Sequence, residues 1–189
     1  MTDRVSREFL EESSRYLRDT YLPRLRTALS TLPAGDLAWS PHPKAISFET
    51  ILRHLEGNVR QWILSGLGGL PDARDRASEF EVHGDVEAAG RADTPERREA
   101  LIGRLAETIE KAAAFLEALD PKHLVDPYDI QGFETTGLGA ILHVVEHFSW
   151  HTGQAVWIAK ARAGEGHGIS FYDESAINRA HNAPAEGRG

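Results

Sequence analysis

The sequence predicts an all-α protein in which four long helices form a four-helix bundle with long connections. Four segments repeat apolar residues at the three- and four-residue spacing of an amphipathic helix, and little of the remaining sequence resembles a strand. The 189 residues, 41% hydrophobic and 26% charged, suit one globular domain. We expect that domain to span residues 1–182 and a flexible tail to follow over 183–189.

The first two helices are predicted from apolar periodicity and from their end signals. The first spans about Ser6 to Leu32, and Pro23 within it predicts a kink because proline removes one helical hydrogen bond. The second spans about Phe48 to Leu64, after a proline-rich segment, and Ser47 is its expected N-cap.

A Gly-rich, charged connection, GLGGLPDARDRASEF, follows the second helix. Its RDRASEF segment, Arg74 to Phe80, is predicted to be solvated and to form local ion pairs. The alternative is a role for Arg74 or Arg76 in binding an anion.

The last two helices have clearer ends. The third begins with Thr94 as N-cap and Pro95 at the first helical position, and it runs to about Leu119. The connection after it leaves room for one short extended piece. The fourth helix spans about Gly137 to Ala163 and is expected to end at Gly164.

The composition argues against several classes of function. A formal net charge of -8 disfavours a nucleic-acid partner, because phosphate binding needs a basic surface. The chain has no cysteine, so metal ligands must be nitrogen or oxygen atoms and any thiol must come from a cosubstrate. No apolar run reaches the length of a membrane span, and the charged N-terminus shows no secretory signal. We therefore expect a cytoplasmic protein with no membrane partner.

The fourth helix carries three histidines at four-residue spacing, His143, His147 and His151. Helical residues advance about 100° each, so the three occupy one arc of about 80°, which also contains Gln154. Apolar residues flank this arc, and it is therefore predicted to be buried. A buried imidazole needs hydrogen bonds or a metal ion.

The second helix offers His54 and Asn58 on one side. Two histidines one turn apart can direct ring nitrogens at one ion, and a facing helix of a bundle can add a ligand. The spacing leaves an alternative open, a set of core histidines bonded to backbone or carboxylate partners. Three tryptophans, Trp62, Trp150 and Trp157, are expected in the core.

The segments HFSWHTGQ and ILRHLEGNVRQWI, with WSPHP and GLPDARDRASEF, resemble the DinB-like (YfiT-like) superfamily, in a bacterial branch. The resemblance covers about residues 5–172 and implies a four-helix bundle of non-sequential topology. It also implies a divalent-metal site made by His54, His147 and His151, with His143 one turn away as a neighbouring residue. DinB-like proteins often form homodimers, so a homodimer is expected by resemblance.

Several functions follow from the resemblance. An open three-histidine site suits nickel, zinc, iron or manganese and leaves positions for a small-molecule substrate. Some DinB-like relatives are transferases or isomerases that use a low-molecular-weight thiol, which is the leading interpretation. One alternative is a hydrolase of amide or ester bonds; Glu56 and Glu146 face away from the histidines, so no general base is apparent. Another is a non-catalytic, stress-associated metal-binding module.

Two polar residues are expected next to the metal ligands. Asn58 can hydrogen-bond either a group at the metal or the fourth helix. Gln154 can either orient a ligand imidazole or bridge two helices.

Overall fold

The computed structural model of the chain describes residues 2–80, 92–173 and 175, with the side chains of residues 2 and 3 left out. Most of the described chain is helical, as predicted. The predicted tail, residues 183–189, lies outside the described residues. The elements in chain order are α1 (Thr2–Arg15), a π-helical stretch (Tyr16–Tyr21), α2 (Leu22–Thr31), α3 (Phe48–Val59), a second π-helical stretch (Arg60–Leu67), α4 (Arg76–Phe80), α5 (Pro95–Ala118), a 3-10 turn (Pro121–Val125), β1 (Pro127–Ile130), β2 (Phe133–Thr136) and α6 (Gly137–Ala163).

The ends of the long helices follow the predicted capping residues. The Ser47 hydroxyl accepts the Thr50 amide at 3.2 Å and starts α3, and the Thr94 hydroxyl accepts the Arg97 amide at 3.2 Å and starts α5. At the other end of the chain, α6 stops at Gly164, whose φ of 73° favours glycine.

Pro23 lies near the start of α2, where the chain stays helical but changes its hydrogen-bond pattern. The π-helical stretch Tyr16–Tyr21 directly precedes α2. Because Pro23 has no amide hydrogen, it cannot donate the usual helical hydrogen bond, and a local change of helix type accommodates this loss. The structure thus shows a change of helix type next to Pro23, and the kink itself stays a prediction.

Two elements were not predicted as such. The charged connection contains the short helix α4. The connection after α5 contains a β-hairpin, in which Ile130 pairs with Phe133 across the two-residue loop Gln131–Gly132. Both loop residues have positive φ, 58° and 76°, as a tight type I′ hairpin requires.

The core lies between the long helices. The segment formed by α1 and α2 packs on α5 and α6, and α3 also packs on both α5 and α6. Fully buried apolar side chains such as Leu17, Phe48, Leu105 and Phe148 fill the space between them. Among the described helices, none is both long enough and apolar enough to cross a membrane.

Candidate metal centre

Three histidines from two facing helices meet where α3 packs on α6. His54 lies on α3 between the fully buried Ile51 and Leu55, and His147 and His151 lie on α6 beside the buried Phe148. One ring nitrogen from each histidine lies within 4.8 Å of the other two, and this group of three could hold a metal ion. The group of three that the DinB-like resemblance implies is therefore brought together in the structure.

The imidazole rings are in direct contact. The Nε2 atoms of His54 and His147 are 3.1 Å apart, and the ring of His151 lies 5.1 Å from that of His54 and 4.5 Å from that of His147, centre to centre. Two imidazole nitrogens bound to one tetrahedral zinc ion at 2.0–2.1 Å would be about 3.3 Å apart. The His54–His147 separation therefore fits two ligands of one ion.

A carboxylate fixes which nitrogen of His54 carries the proton. Nδ1 of His54 lies 2.9 Å from Oε2 of Glu79, and Glu79 is buried, with 7% of its side chain exposed. Burial alone would raise the pKa of Glu79, but hydrogen bonds from Arg74 and His54 outweigh it and the pKa is lowered. Nη2 of Arg74 also lies 3.2 Å from Nδ1 of His54, but it donates to Oε2 of Glu79 at the shorter distance of 2.8 Å. The ionised carboxylate can only accept, so His54 donates from Nδ1 to Glu79 and turns the lone pair of Nε2 toward His147.

Arg74 holds that carboxylate in place. Its Nε and Nη2 atoms donate to the two oxygens of Glu79 at 2.7 and 2.8 Å, and its side chain is only 3% exposed. Nη1 of Arg74 donates to Gln61 at 2.9 Å, and Gln61 in turn donates to Asp72 at 2.7 Å. Arg74 therefore belongs to a buried network behind His54, and its three nitrogens have partners within the protein.

Gly57 makes room for the ion pair, one turn after His54 on α3. A Cβ atom at Gly57 would lie 2.9 Å from Nε of Arg74 and closer still to Oε1 of Glu79, well inside van der Waals contact. The absence of a side chain therefore lets the pair approach the helix that carries His54.

Gln154 accepts a hydrogen bond from Nδ1 of His151, as Glu79 does from Nδ1 of His54. The Nδ1 atom of His151 lies 2.7 Å from Oε1 of Gln154, an amide oxygen that can only accept. His151 therefore donates from Nδ1, which leaves the lone pair of its Nε2 for another partner. The contact expected between Gln154 and a ligand imidazole is present.

Of the three histidines, His147 is the one with a buried ring nitrogen, its Nδ1 atom, that has no hydrogen-bond partner among the described residues. Burial, with His151, His54, His143 and Arg74 nearby, lowers the pKa of His147 to about 3. Burial also lowers the pKa of His151. At neutral pH both imidazoles are therefore uncharged, which is the form that binds a metal ion.

His143 lies next to the group but outside the set of three. Its ring is 4.2 Å from that of Trp62 and 5.5 Å from that of His147, and burial lowers its pKa. The amide nitrogen of Asn58 approaches Nε2 of His143 at 3.5 Å, a long hydrogen bond. Asn58 thus contacts the last helix, one of the two roles expected for it, and its Oδ1 atom is buried without a hydrogen-bond partner among the described residues.

Two sequence expectations about this region are wrong in part. The segment from Arg74 to Phe80 is expected to be solvated and to form local ion pairs. Its residues 75–77 are exposed and Arg74 pairs with Glu79, but the side chains of that pair are buried, because Gly57 lets them dock on α3. Trp150 and Trp157 are 64% and 57% exposed, on the solvent side of the arc that the histidines occupy, whereas Trp62 is buried as expected.

Sequence reasoning also missed a functional contact, that of Glu79 with His54. The two residues are 25 positions apart and belong to different elements. The signal available in the sequence was weak, a glutamate in a mixed-charge run followed by an aromatic residue. Phe80 does pack on the His54 ring, with ring centres 5.1 Å apart.

The fold and the site together define a helical protein with a candidate three-histidine metal centre. A family comparison agrees over most of the chain: the model of the family described as "Protein of unknown function (DUF1572)" matches residues 4–169. The chain therefore belongs to that family. Neither the curated proteins nor the solved structures contained a match to this sequence.

Proposed function

We propose that the chain is a divalent-metal-binding protein in which His54, His147 and His151 are the ligands. The observation that carries this proposal is the proton position of two of the rings. Glu79 and Gln154 accept from Nδ1 of His54 and His151, so each ring presents the lone pair of its Nε2, and that of His54 faces His147. The 3.1 Å separation between the Nε2 atoms of His54 and His147 adds support, because it fits two ligands of one ion.

Three imidazoles leave coordination positions open, which is typical of catalytic rather than structural metal sites. Neutral imidazole suits nickel, zinc and iron, and manganese is also compatible with such a site. A bound divalent ion would supply Lewis-acid polarisation or thiol activation to a substrate. The chain itself supplies the ligands, their orientation and the buried ion pair behind them.

Metal content tests the proposal directly. Protein purified without an affinity tag is analysed by mass spectrometry after incubation with nickel, zinc, iron and manganese in turn. About one equivalent of one metal is expected in the wild type and none in a His147→Ala/His151→Ala double variant. The matched control is His143→Ala, which removes a neighbouring imidazole on the same helix and should keep the metal.

A wild type that stays metal-free with all four ions would refute the proposal. The three histidines would then be core residues. Loss of metal in the His143→Ala variant, without loss of folding, would instead refute the assignment of the three ligands.

For the fold, we propose the DinB-like bundle of non-sequential topology. Its support is the set of helix neighbours: the α1–α2 segment and α3 each pack on both α5 and α6. Such neighbours fit a bundle in which the α1–α2 segment lies across the core from α3, and α5 lies across the core from α6.

For the reaction, we propose a transferase or isomerase that acts on a small-molecule substrate with a low-molecular-weight thiol. This rests on the DinB-like resemblance. The absence of cysteine is compatible with it, because the thiol would be a cosubstrate. In addition, the carboxylate that touches the histidines, Glu79, already accepts three hydrogen bonds, so it is not free to act as the general base that a hydrolase needs.

A thiol panel tests the reaction class. Metal-loaded protein is mixed with glutathione, cysteine and other small thiols, and perturbation of the d–d absorption of cobalt- or nickel-loaded protein reports thiol binding. The His147→Ala/His151→Ala variant is the control. If no thiol perturbs the spectrum but amides or esters are hydrolysed, the hydrolase alternative holds; if neither occurs, the chain is a non-catalytic metal-binding module.

The expected homodimer and the cytoplasmic location stay predictions. Light scattering on the purified protein would give the oligomeric state.

A further inference from the structure

A small, largely apolar pocket lies between α6 and the segment before α3. Its volume is about 310 Å³, at the lower end of the range for small-molecule sites. Ile46 from the segment before α3 and Trp157 and Ile158 from α6 form its apolar walls. We call it the Gln154 pocket, because Gln154 also lines it.

Gln154 joins this pocket to the metal centre. Its Oε1 atom accepts from Nδ1 of His151 at 2.7 Å, and its Nε2 atom has no hydrogen-bond partner among the described residues. One amide thus binds a metal-site histidine with its oxygen and keeps its two N–H donors for another group. A ligand in the pocket that accepts from these donors would be linked to His151 through the amide of Gln154.

The pocket also contains one cation. Lys44 is the charged residue in its lining, and Lys44 forms no ion pair with any other described residue. Trp157, which forms one apolar wall, is 57% exposed, although a large aromatic side chain is more often buried. An apolar wall, a single unpaired cation and two free amide donors form a set that matches a small apolar carboxylate.

We propose that the Gln154 pocket binds the substrate of the metal centre, and that this substrate is a small carboxylate with an aromatic or branched apolar body. The apolar body packs between Ile46, Trp157 and Ile158. Lys44 and the amide of Gln154 hold the carboxylate. The assignment of the pocket as a substrate site rests on the proposed function. Binding of a carboxylate in the pocket does not require the metal.

The test uses phenylacetate as probe and the indole N–H signals of ¹⁵N-labelled protein as readout. The chain has four tryptophans, and the variants Trp157→Ala and Trp150→Ala identify two of the four signals. Trp150 is the matched control because it is also an exposed tryptophan of α6 but does not line the pocket. The expected result is a saturable shift of the Trp157 signal with little change at Trp150.

Ligand and protein controls separate the parts of the proposal. Acetate lacks the ring and benzyl alcohol lacks the charge, so each should bind at least about tenfold more weakly than phenylacetate. Lys44→Gln should weaken phenylacetate about tenfold and leave benzyl alcohol unchanged. A Trp157 signal that does not shift, or equal phenylacetate affinity in Lys44→Gln and wild type, would overturn the proposal.

The titration is run on metal-free and on metal-loaded protein. If the protein takes up no metal but its pocket binds phenylacetate, the pocket is still a binding site and only the proposed metal function is refuted. A metal-loaded protein whose Trp157 signal does not respond keeps the metal function, and only the pocket fails.

Discussion

Replacing Glu79 with glutamine tests whether the buried ion pair positions a metal ligand. The carboxylate accepts from Nε of Arg74 at 2.7 Å, from Nη2 of Arg74 at 2.8 Å and from Nδ1 of His54 at 2.9 Å. Glutamine has the same shape but one oxygen and no charge, so one position that now accepts would hold an N–H₂ group facing a donor. The variant therefore breaks the pairing with little change in volume.

Two effects of different size are expected. Arg74 would remain buried with its charge uncompensated, which costs about 3–5 kcal/mol of folding stability when one partner of a buried pair is removed. His54 would lose the acceptor that fixes its proton on Nδ1, and a loss of this kind lowers metal affinity by about 10- to 100-fold.

Each effect has its own assay. Urea unfolding of metal-free protein measures the stability loss, and competition with a chromophoric chelator measures the metal affinity of the folded protein. The matched control is Glu117→Gln, because Glu117 also pairs with an arginine, Arg18, but is 44% exposed and belongs to α5. That variant should lose at most about 1 kcal/mol and keep its metal affinity. A Glu79→Gln protein that is destabilised but binds metal as tightly as the wild type would refute the positioning role.

Two glycine substitutions and the pH dependence of stability give further tests. Gly57→Ala should lower the metal affinity, measured by chelator competition, because the new Cβ would displace Glu79 and Arg74. Gly103→Ala, a control with open space around the new Cβ, should raise the free energy of unfolding by about 0.4–1 kcal/mol, measured by urea unfolding. The stability of the metal-free protein should fall as pH drops below about 6.5, because the unfolded chain then protonates His147 while the folded chain, with a pKa of about 3, does not. Urea midpoints measured between pH 7.5 and 5 should show a shallower pH dependence in His147→Ala, and equal slopes would contradict this reasoning.

The elements that the sequence predicts well are those with strong local signals. The bounds of α6 agree with the expected Gly137 to Ala163, because its apolar periodicity is long and Gly164 ends it. The spacing of the histidines on that helix predicts that His143, His147 and His151 share one face, and both inferences depend on the period of the α-helix. The choice of His54, His147 and His151 as one group comes from the DinB-like resemblance instead.

The parts that the sequence does not predict depend on contacts between distant segments. The packing of Glu79 and Arg74 on α3 requires Gly57, and a glycine inside a helix does not indicate which side chains pack against it. The β-hairpin is only four residues per strand, and its turn uses Gln131–Gly132 in place of the more common Asn–Gly or Asp–Gly. A mixed-charge run is typical of a solvated segment, so its burial here goes against the usual pattern.

The charge balance around the three histidines bears on both proposed binding partners, the thiol and the small carboxylate. Arg74 and Glu79 compensate each other, and His147 and His151 are neutral at physiological pH because of their lowered pKa values. A divalent ion held by these rings would therefore bring a charge that Glu79, already paired, does not cancel. In a partly buried site such a charge favours an anionic partner over a neutral one. A thiolate and a carboxylate both meet this requirement, so phenylacetate is expected to bind the metal-loaded protein more tightly than the metal-free one.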